Sequence, residues 1–358
     1  MAALKINQAA LLPKEPRPII SIGAGGIVND AHQPAYQKAG FKTLGIFDLN
    51  QKQAEVTATK FAIPSVYTSL GEAVSQAPDN AVFDVAVPAA ALETLLPQLP
   101  DAAAVLIQKP MGDSFAQAKT IRAICQDKGL QAAVNFQMRY APYVLAARSL
   151  IEQGAIGEVH DMEIRIKVNT PWHLWHFFEA LPRVEILYHS IHYIDIIRAF
   201  LGEPSGLYAK TVSSPTSAKL ASTRSNIIMD YGNHLRANIT TNHGHAYGLK
   251  NQESYIAWEG TKGAIKATIG LLLNYPEGKP DAFEYCILQE GQEPGWTTQP
   301  ISGTWFPDAF IGSMASLMRF LEGSSDQLPT HIDDAFKTMT LVEAAHRSSD
   351  AGGVPILL

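Results

Sequence analysis

Along the first 140 residues, solid apolar runs alternate with stretches in which apolar residues recur every three or four positions. The runs are Ile19–Ile22, Thr43–Phe47, Val82–Val87, Ala104–Gln108 and Leu130–Phe136, each bounded by Gly, Pro, Asp or Lys-Pro. Runs of this kind predict strands buried on both faces. Between them, 27–39, Gln51–Phe61, Leu70–Ser75, 90–96 and 115–128 read as helices, several stopped by Gly40, Pro64 or Gly129. Strands alternating with helices predict an α/β fold with a parallel, doubly wound sheet.

The pattern changes after a helix predicted at 142–153. Longer, alternating strands are expected at 161–168, 207–212, 225–230, 234–241, 254–259 and 263–268. Gly232-Asn233 and Gly260-Thr261-Lys262-Gly263 read as hairpin turns. These strands predict a mostly antiparallel, half-buried sheet, closed by helices at 316–322 and 332–348. Residues 276–280 and 289–295 read as loops. The expected division is a nucleotide-binding domain over 1–140 and a substrate-binding and oligomerisation domain over 141–358.

The end of the first run carries the strongest chemical signal. Ile19–Ile22 stops in Gly23, Ala24, Gly25 and Gly26; a helical pattern from Ile27 follows, and the second run ends in Asp48. Strand, glycine turn, helix, strand and acid form the dinucleotide-binding fingerprint, with Val28 in place of the third glycine. Gly23 suits the tight turn, and Gly25 lets the backbone approach a pyrophosphate at the helix N-terminus. Asp48, 25 residues after Gly23, suits the ribose hydroxyls. Its charge favours NAD over NADP, since Leu49, Asn50 and Gln51 cannot neutralise a 2′-phosphate and Lys52 is the only nearby cation. Ligands of such sheets gather beyond the carboxyl ends of the strands. Val87, Pro88, Gln108, Lys109, Asn135 and Gln137 are therefore expected beside the glycine turn.

Composition narrows the setting. A net charge of −6 with no basic cluster argues against nucleic-acid binding. Two cysteines, Cys125 and Cys286, argue against a disulfide framework and for a reducing compartment, so a cytoplasmic location is expected. No apolar run reaches membrane-spanning length, and 1–17 reads as a loose extension without a signal-peptide core.

Three groups of residues carry candidate chemistry. Lys109 ends a parallel strand beside Pro110, where an ammonium suits a substrate hydroxyl and the alkoxide that forms from it. On a regular helix, Glu185, Tyr188, His189, His192 and Asp195 share an arc of about 120°. Such a stripe is expensive to bury without a purpose, and histidine suits a general base. A metal reading of His189, His192 and Asp195 with His173 and His176 matches no established zinc spacing, and no metal is expected. In PWHLWHFF, Trp172 and Trp175 suit sugar-ring stacking and His173 and His176 suit hydroxyls; a packed hydrophobic patch is the alternative.

Several motifs in order resemble the glucose–fructose oxidoreductase, inositol dehydrogenase and MocA family. They are GAGGIVNDAH, QKP at Gln108–Pro110, NFQMRYAP at Asn135–Pro142, HYIDIIRAFLGEP at His192–Pro204, and IDDAFKTMTLVEAAHRSSDAGGVPI near the carboxyl end. The resemblance covers about 18–358. It implies a Rossmann domain, then an α/β domain whose open sheet forms subunit contacts, in a dimer or tetramer. It also implies NAD(P)-linked chemistry on a sugar or polyol. By the same resemblance Lys109 matches the lysine of E-K-P, with Gln108 replacing glutamate. His192 matches the histidine of D-x-G-x-H and Asp195 the aspartate three residues on; Tyr188 replaces the motif's aspartate and Ser190 its glycine. Ala89 and Leu92 replace the asparagine and histidine often found after the strand-four proline.

The expected activity is an NAD-dependent oxidoreductase moving hydride between nicotinamide and a secondary alcohol of a sugar, polyol or sugar derivative. Lys109, His192 and Tyr188 are the expected catalytic residues, and Gln137, Trp172, His173, Trp175, His176, His189 and Asp195 the further substrate contacts. The rivals are an NAD-dependent glycoside hydrolase of the same fold and a non-catalytic sugar- or NAD-sensing protein.

Overall fold

The structure, a computed structural model, describes residues 4–356. It divides into two compact units. Residues 9–141 and 305–339 form one, and residues 4–8, 142–304 and 340–356 the other.

The first unit is built on six parallel strands: β1 (Ile19–Ile22), β2 (Thr43–Phe47), β3 (Ser65–Val66), β4 (Val82–Val85), β5 (Ala104–Ile107) and β6 (Gln131–Val134). Their order, β3-β2-β1-β4-β5-β6, is that of the dinucleotide-binding fold. β1, β4 and β5 are buried at every position, which is why their sequences are apolar without alternation. The crossover helices include α1 (Gln33–Ala39), α2 (Gln51–Phe61), α3 (Leu70–Ser75), α4 (Leu92–Leu95) and α5 (Phe115–Asp127). Their ends are set by local chemistry. The Asn50, Ser69 and Ser114 side chains cap the N-termini of α2, α3 and α5, and Gly40 ends α1 at φ 73°.

The second unit holds α6 (Pro142–Glu152), α7 (Ile191–Leu201) and an eight-stranded sheet. Its strands are β7 (Val159–Lys167), β8 (Gly206–Val212), β9 (Arg224–Asp230), β10 (Arg236–Asn242), β11 (Glu253–Gly260), β12 (Gly263–Thr268), β13 (Ala282–Ile287) and β14 (Trp296–Thr298). The order is β14-β13-β12-β11-β7-β10-β9-β8, antiparallel throughout except for β7 beside β10. Both expected hairpins form, β9 with β10 and β11 with β12. β13 and β14 extend the sheet beyond the six strands expected, because AFEYCI lacks clean alternation and WTT is too short to signal. Ile164, Ile166, Ile227, Ile239, Ile256 and Trp258 are buried on one face, where Phe200 of α7 lies 5.1 Å from Trp258. On the other face Arg165 pairs with Glu253 at 2.7 Å and Arg236 with Asp161 at 2.6 Å, while the Tyr255 hydroxyl donates to Glu163. Tyr208 and Ile228, partners across β8 and β9, are more than half exposed there.

The last helices depart from the expected boundary. α8 (Asp308–Leu321) and the first turns of α9 (Ile332–Ala351) belong to the parallel-sheet unit, not to the second domain. Phe310, Met314, Leu317 and Met318 of α8 join Ile19, Val82 and Leu106 in one buried cluster. α8 also begins eight residues before the helix expected at 316. The N-terminal segment is not a loose extension over its described residues. Lys5 is held by Gln153 and Ser149 in one unit; in the other, Glu322 accepts from the Lys14 and Glu15 N–H groups. Those partners lie far along the chain, so nothing local announces them.

Among the described residues, no helix is long and apolar enough to cross a membrane. Both cysteines are free and buried.

Candidate active site

In the parallel-sheet unit the glycine turn meets the requirements read from its sequence. Gly23 has φ +109°, and a Cβ there would lie 2.3 Å from the Ala86 carbonyl oxygen. No other residue fits this position. Gly25 and Gly26 are exposed, and a Cβ on Gly25 would meet open space, so the turn presents backbone to its ligand side. The following helix opens with a π-helical turn, Val28–His32. Asp48 is half-buried. Its Oδ2 accepts from the Ala24 N–H at 2.7 Å and its Oδ1 from the Asn50 N–H at 2.7 Å. Two accepted bonds leave acceptor capacity on a carboxylate for ribose hydroxyls. Donor loop, open approach and acid therefore fit NAD.

The same unit holds a buried polar cluster of which the sequence singled out only Asn135. His32 Nδ1 is 2.9 Å from Asp84 Oδ2, both fully buried, and the Tyr36 hydroxyl is 3.4 Å from the same nitrogen. Burial first, then the Asp84 charge, push the Tyr36 hydroxyl well above its ordinary range. Asn135, only 1% exposed, places Nδ2 3.4 Å from His32 Nε2. Asn135 and Gln137 are thus buried side chains rather than open lining. Val87, Gln108 and Lys109 are half-buried at the carboxyl ends of β4 and β5, Pro88 is exposed, and Ile27 is half-buried on the helix. Burial lowers the Lys109 ammonium from 10.5 to about 8.

In the second unit, the expected stripe of five polar groups is broken. Ile186–Ser190 is a π-helical turn ahead of α7, and the extra residue per turn rotates the register. Glu185 is fully buried, while Tyr188 and His189 are half-buried and His192 is 6% exposed. Asp195 is 1% exposed and 3.9 Å from Arg198. Burial alone would raise the Glu185 carboxyl. The His243 imidazole and the Ser225 and Ser190 hydroxyls outweigh it and hold the carboxyl below its usual range.

The aromatic segment is divided by its own packing. Trp172 and Trp175 are half-buried against the cluster of Phe178, Val184 and Leu220, which Tyr188 also joins. Trp172 stands edge-on to Phe178 at 5.7 Å and to His189 at 5.3 Å. His173 and His176 face solvent instead. Among the described residues, no group of three or more His, Cys, Asp or Glu is placed to hold a metal ion.

A nucleotide-binding Rossmann unit joined to a separate mixed sheet defines a class, the two-domain NAD-binding oxidoreductases. Family models resolve it further. The oxidoreductase family's NAD-binding Rossmann model matches residues 19–136, and the GFO/IDH/MocA C-terminal domain model matches 144–266. The chain belongs to the GFO/IDH/MocA oxidoreductase family. It is 24% identical over 264 residues to D-apiose dehydrogenase of Rhizobium rhizogenes, covering 69% of this chain and 70% of that one. It is 29% identical over 150 residues to glucose-6-phosphate 3-dehydrogenase of Bacillus subtilis, covering 42% of each chain, so it matches under half of that relative's length. An oxidoreductase from Agrobacterium radiobacter, solved with NAD+, L-tartaric acid and magnesium, superposes with a TM-score of 0.76 at 21% identity. That match covers 94% of this chain and 97% of the other, and it speaks for the fold.

Proposed function

We propose that this protein is an NAD-dependent dehydrogenase acting on a secondary alcohol of a sugar, polyol or sugar derivative. The observation that carries the reading is Lys109, at the carboxyl end of β5 and brought by burial to about 8. An amine poised near neutrality suits a group that exchanges or shares a proton with a substrate oxygen. The sugar dehydrogenases among its relatives support the substrate class.

NAD, held by Gly23–Gly26 and Asp48, supplies the acceptor for the substrate's hydride. The chain's own residues handle the proton and the oxygen. Lys109 Nζ holds the substrate oxygen and stabilises the negative charge that develops on it. His192 takes the hydroxyl proton, and Tyr188, one turn earlier, assists in that transfer. Trp172, Trp175, His189 and the exposed His173 and His176 contribute to substrate contact, while Asp195 supports α7 beside Arg198. NAD is preferred over NADP because Asp48 places negative charge where a 2′-phosphate would sit. The protein works as a homo-oligomer joined through the outward face of the second sheet.

The test is to incubate the protein with NAD and a panel of pentoses, hexoses, anhydrosugars, inositols, sugar acids and sugar phosphates while following absorbance of NADH. NADH formation with one member supports the reading. Sugar release from a glycoside without net NADH would replace it with the hydrolase. Binding of sugar and NAD without either product would replace it with a sensor.

A further inference from the structure

Glu185 and His243 have no role in the chemistry above, yet both are buried, at 0% and 1% exposure. Glu185 Oε1 accepts from the Ser190 hydroxyl at 2.7 Å, its other oxygen accepts from the Ser225 hydroxyl, and its backbone N–H donates to Ser222 Oγ at 3.2 Å. Ser225 Oγ also lies 2.8 Å from Thr211 Oγ1 on the neighbouring strand. The carboxylate thus ties the two ends of the π turn to β9, and Ser225 carries the link on to β8. His243 Nε2 lies 3.5 Å from Glu185 Oε1, and its Nδ1 lies 3.0 Å from the Thr170 hydroxyl. The ring is therefore hydrogen-bonded at Nδ1, while Nε2 faces the carboxylate.

The surface this assembly supports is the face of His189. The His189 and His243 rings are 4.5 Å apart and inclined at 51°, with Trp172 at 5.3 Å and Phe178 at 5.8 Å from His189 completing the slot. A buried carboxylate is a costly way to fill space, since apolar residues of similar volume are commonly as stable or more so. A π turn is likewise tolerated where it aims a side chain. Here the two coincide, and the half-buried residues on that turn are Tyr188 and His189.

We propose that Glu185 and His243 are positioning residues, which hold the π turn and the His189 imidazole in one orientation toward the substrate. The role in turnover rests on the dehydrogenase reading; the orientation of His189 does not. Glu185 acts by fastening Ser190, and His243 acts as the wall on which His189 rests, itself held by Thr170 at Nδ1 and facing the Glu185 carboxylate.

The experiment compares the parent with Glu185→Gln, His243→Phe and the milder Thr170→Val. Histidine-labelled protein is followed by ring NMR, with the His189 signal assigned through His189→Gln. The His189 ring signal should move by more than its linewidth in all three variants, and the melting curve of Thr170→Val should stay cooperative. NADH affinity, read by tryptophan fluorescence, should stay within about twofold, while KM for the sugar oxidised in the panel rises about tenfold with a smaller change in kcat. An unmoved His189 signal in folded Thr170→Val and His243→Phe overturns the proposal, as does a loss confined to NADH affinity. Should the parent oxidise no sugar, the dehydrogenase reading fails, and the NMR arm alone decides whether Glu185 and His243 orient His189.

Discussion

Asp48 Oδ2 and the backbone nitrogen of Ala24 lie 2.7 Å apart, so the acid that ends β2 also fastens the glycine turn that ends β1. One side chain thereby shapes the loop and charges the place beside it. A hydrogen bond to an ionised group contributes about 1.5–3 kcal/mol. Asp48→Ala should therefore raise the NAD dissociation constant about tenfold or more. The NADP constant should change less or fall, because a repulsive charge leaves with the side chain. Fluorescence titrations with NADH and NADPH check both directions. Parent protein that binds NADPH as tightly as NADH would remove the preference assigned to Asp48.

Gly23 is a more severe test of the same loop. At φ +109°, with the Ala86 carbonyl oxygen 2.3 Å from an added Cβ, alanine meets both a disfavoured backbone conformation and a backbone clash. Gly23→Ala should cost about 3 kcal/mol or more and abolish NADH binding. Gly25→Ala meets no protein atom, so it should leave the melting temperature unchanged while weakening the cofactor. Thermal unfolding with and without NADH separates the two effects.

The different legibility of the two units has a physical basis. Strands such as IISI, VFDV and AVLI are buried on both faces, so their solid apolar runs and the Gly, Pro and Asp that end them are visible locally. Glu185 was visible as a polar residue on a helix, but its destination was not. Helical projection assumes 3.6 residues per turn, and the π turn at Ile186–Ser190 turns Glu185 inward. His243, at the end of β10, and Asp84, inside β4, carried no spacing signal at all. Their partners, Glu185 and His32, are brought to them only by the sheets. The attachment of α8 to the first unit was hidden for a related reason, since an amphipathic helix declares an apolar face without declaring what covers it.

Lys109 links stability to activity through its charge. Its folded-state value is about 8 against 10.5 for an unperturbed lysine. Between these values the unfolded chain binds more protons, so this group makes stability rise with pH there. Below about 8 both states are protonated, and the cost of burying the ammonium stands in full. Lys109→Met removes that cost and keeps the stem. The variant should melt above the parent below pH 8, with the gap closing toward pH 10.5. Its kcat/KM should fall at least about a hundredfold. In the parent, kcat/KM should decline above pH 8 as the ammonium is lost. Near-normal turnover by Lys109→Met would remove this residue from the mechanism.

The outward face of the second sheet sets a further expectation. Tyr208 and Ile228 are neighbours across β8 and β9 and are 66% and 51% exposed. Exposed apolar groups side by side on a long sheet face are often covered by a partner, and the partner proposed for this face is a second copy. Light scattering should report a dimer or tetramer at micromolar concentration, and Ile228→Glu should shift it toward monomer without unfolding it. A parent that is monomeric throughout that range contradicts assembly through this face.

Tyr188 is where this chain leaves the family's pattern, and its surroundings make the decisive substitution a clean one. The ring stands edge-on to Phe178 at 5.1 Å and to Phe177 at 6.2 Å, so phenylalanine preserves the packing and deletes only the hydroxyl. If the hydroxyl passes a proton together with His192, Tyr188→Phe should lower kcat about tenfold or more with the NAD dissociation constant unchanged. His192→Asn should abolish the low-pH limb of the rate profile, because the base that must be neutral to accept the hydroxyl proton is gone. Should Tyr188→Phe keep full activity, the tyrosine only packs against Phe178, and His192 with Lys109 must suffice for the chemistry.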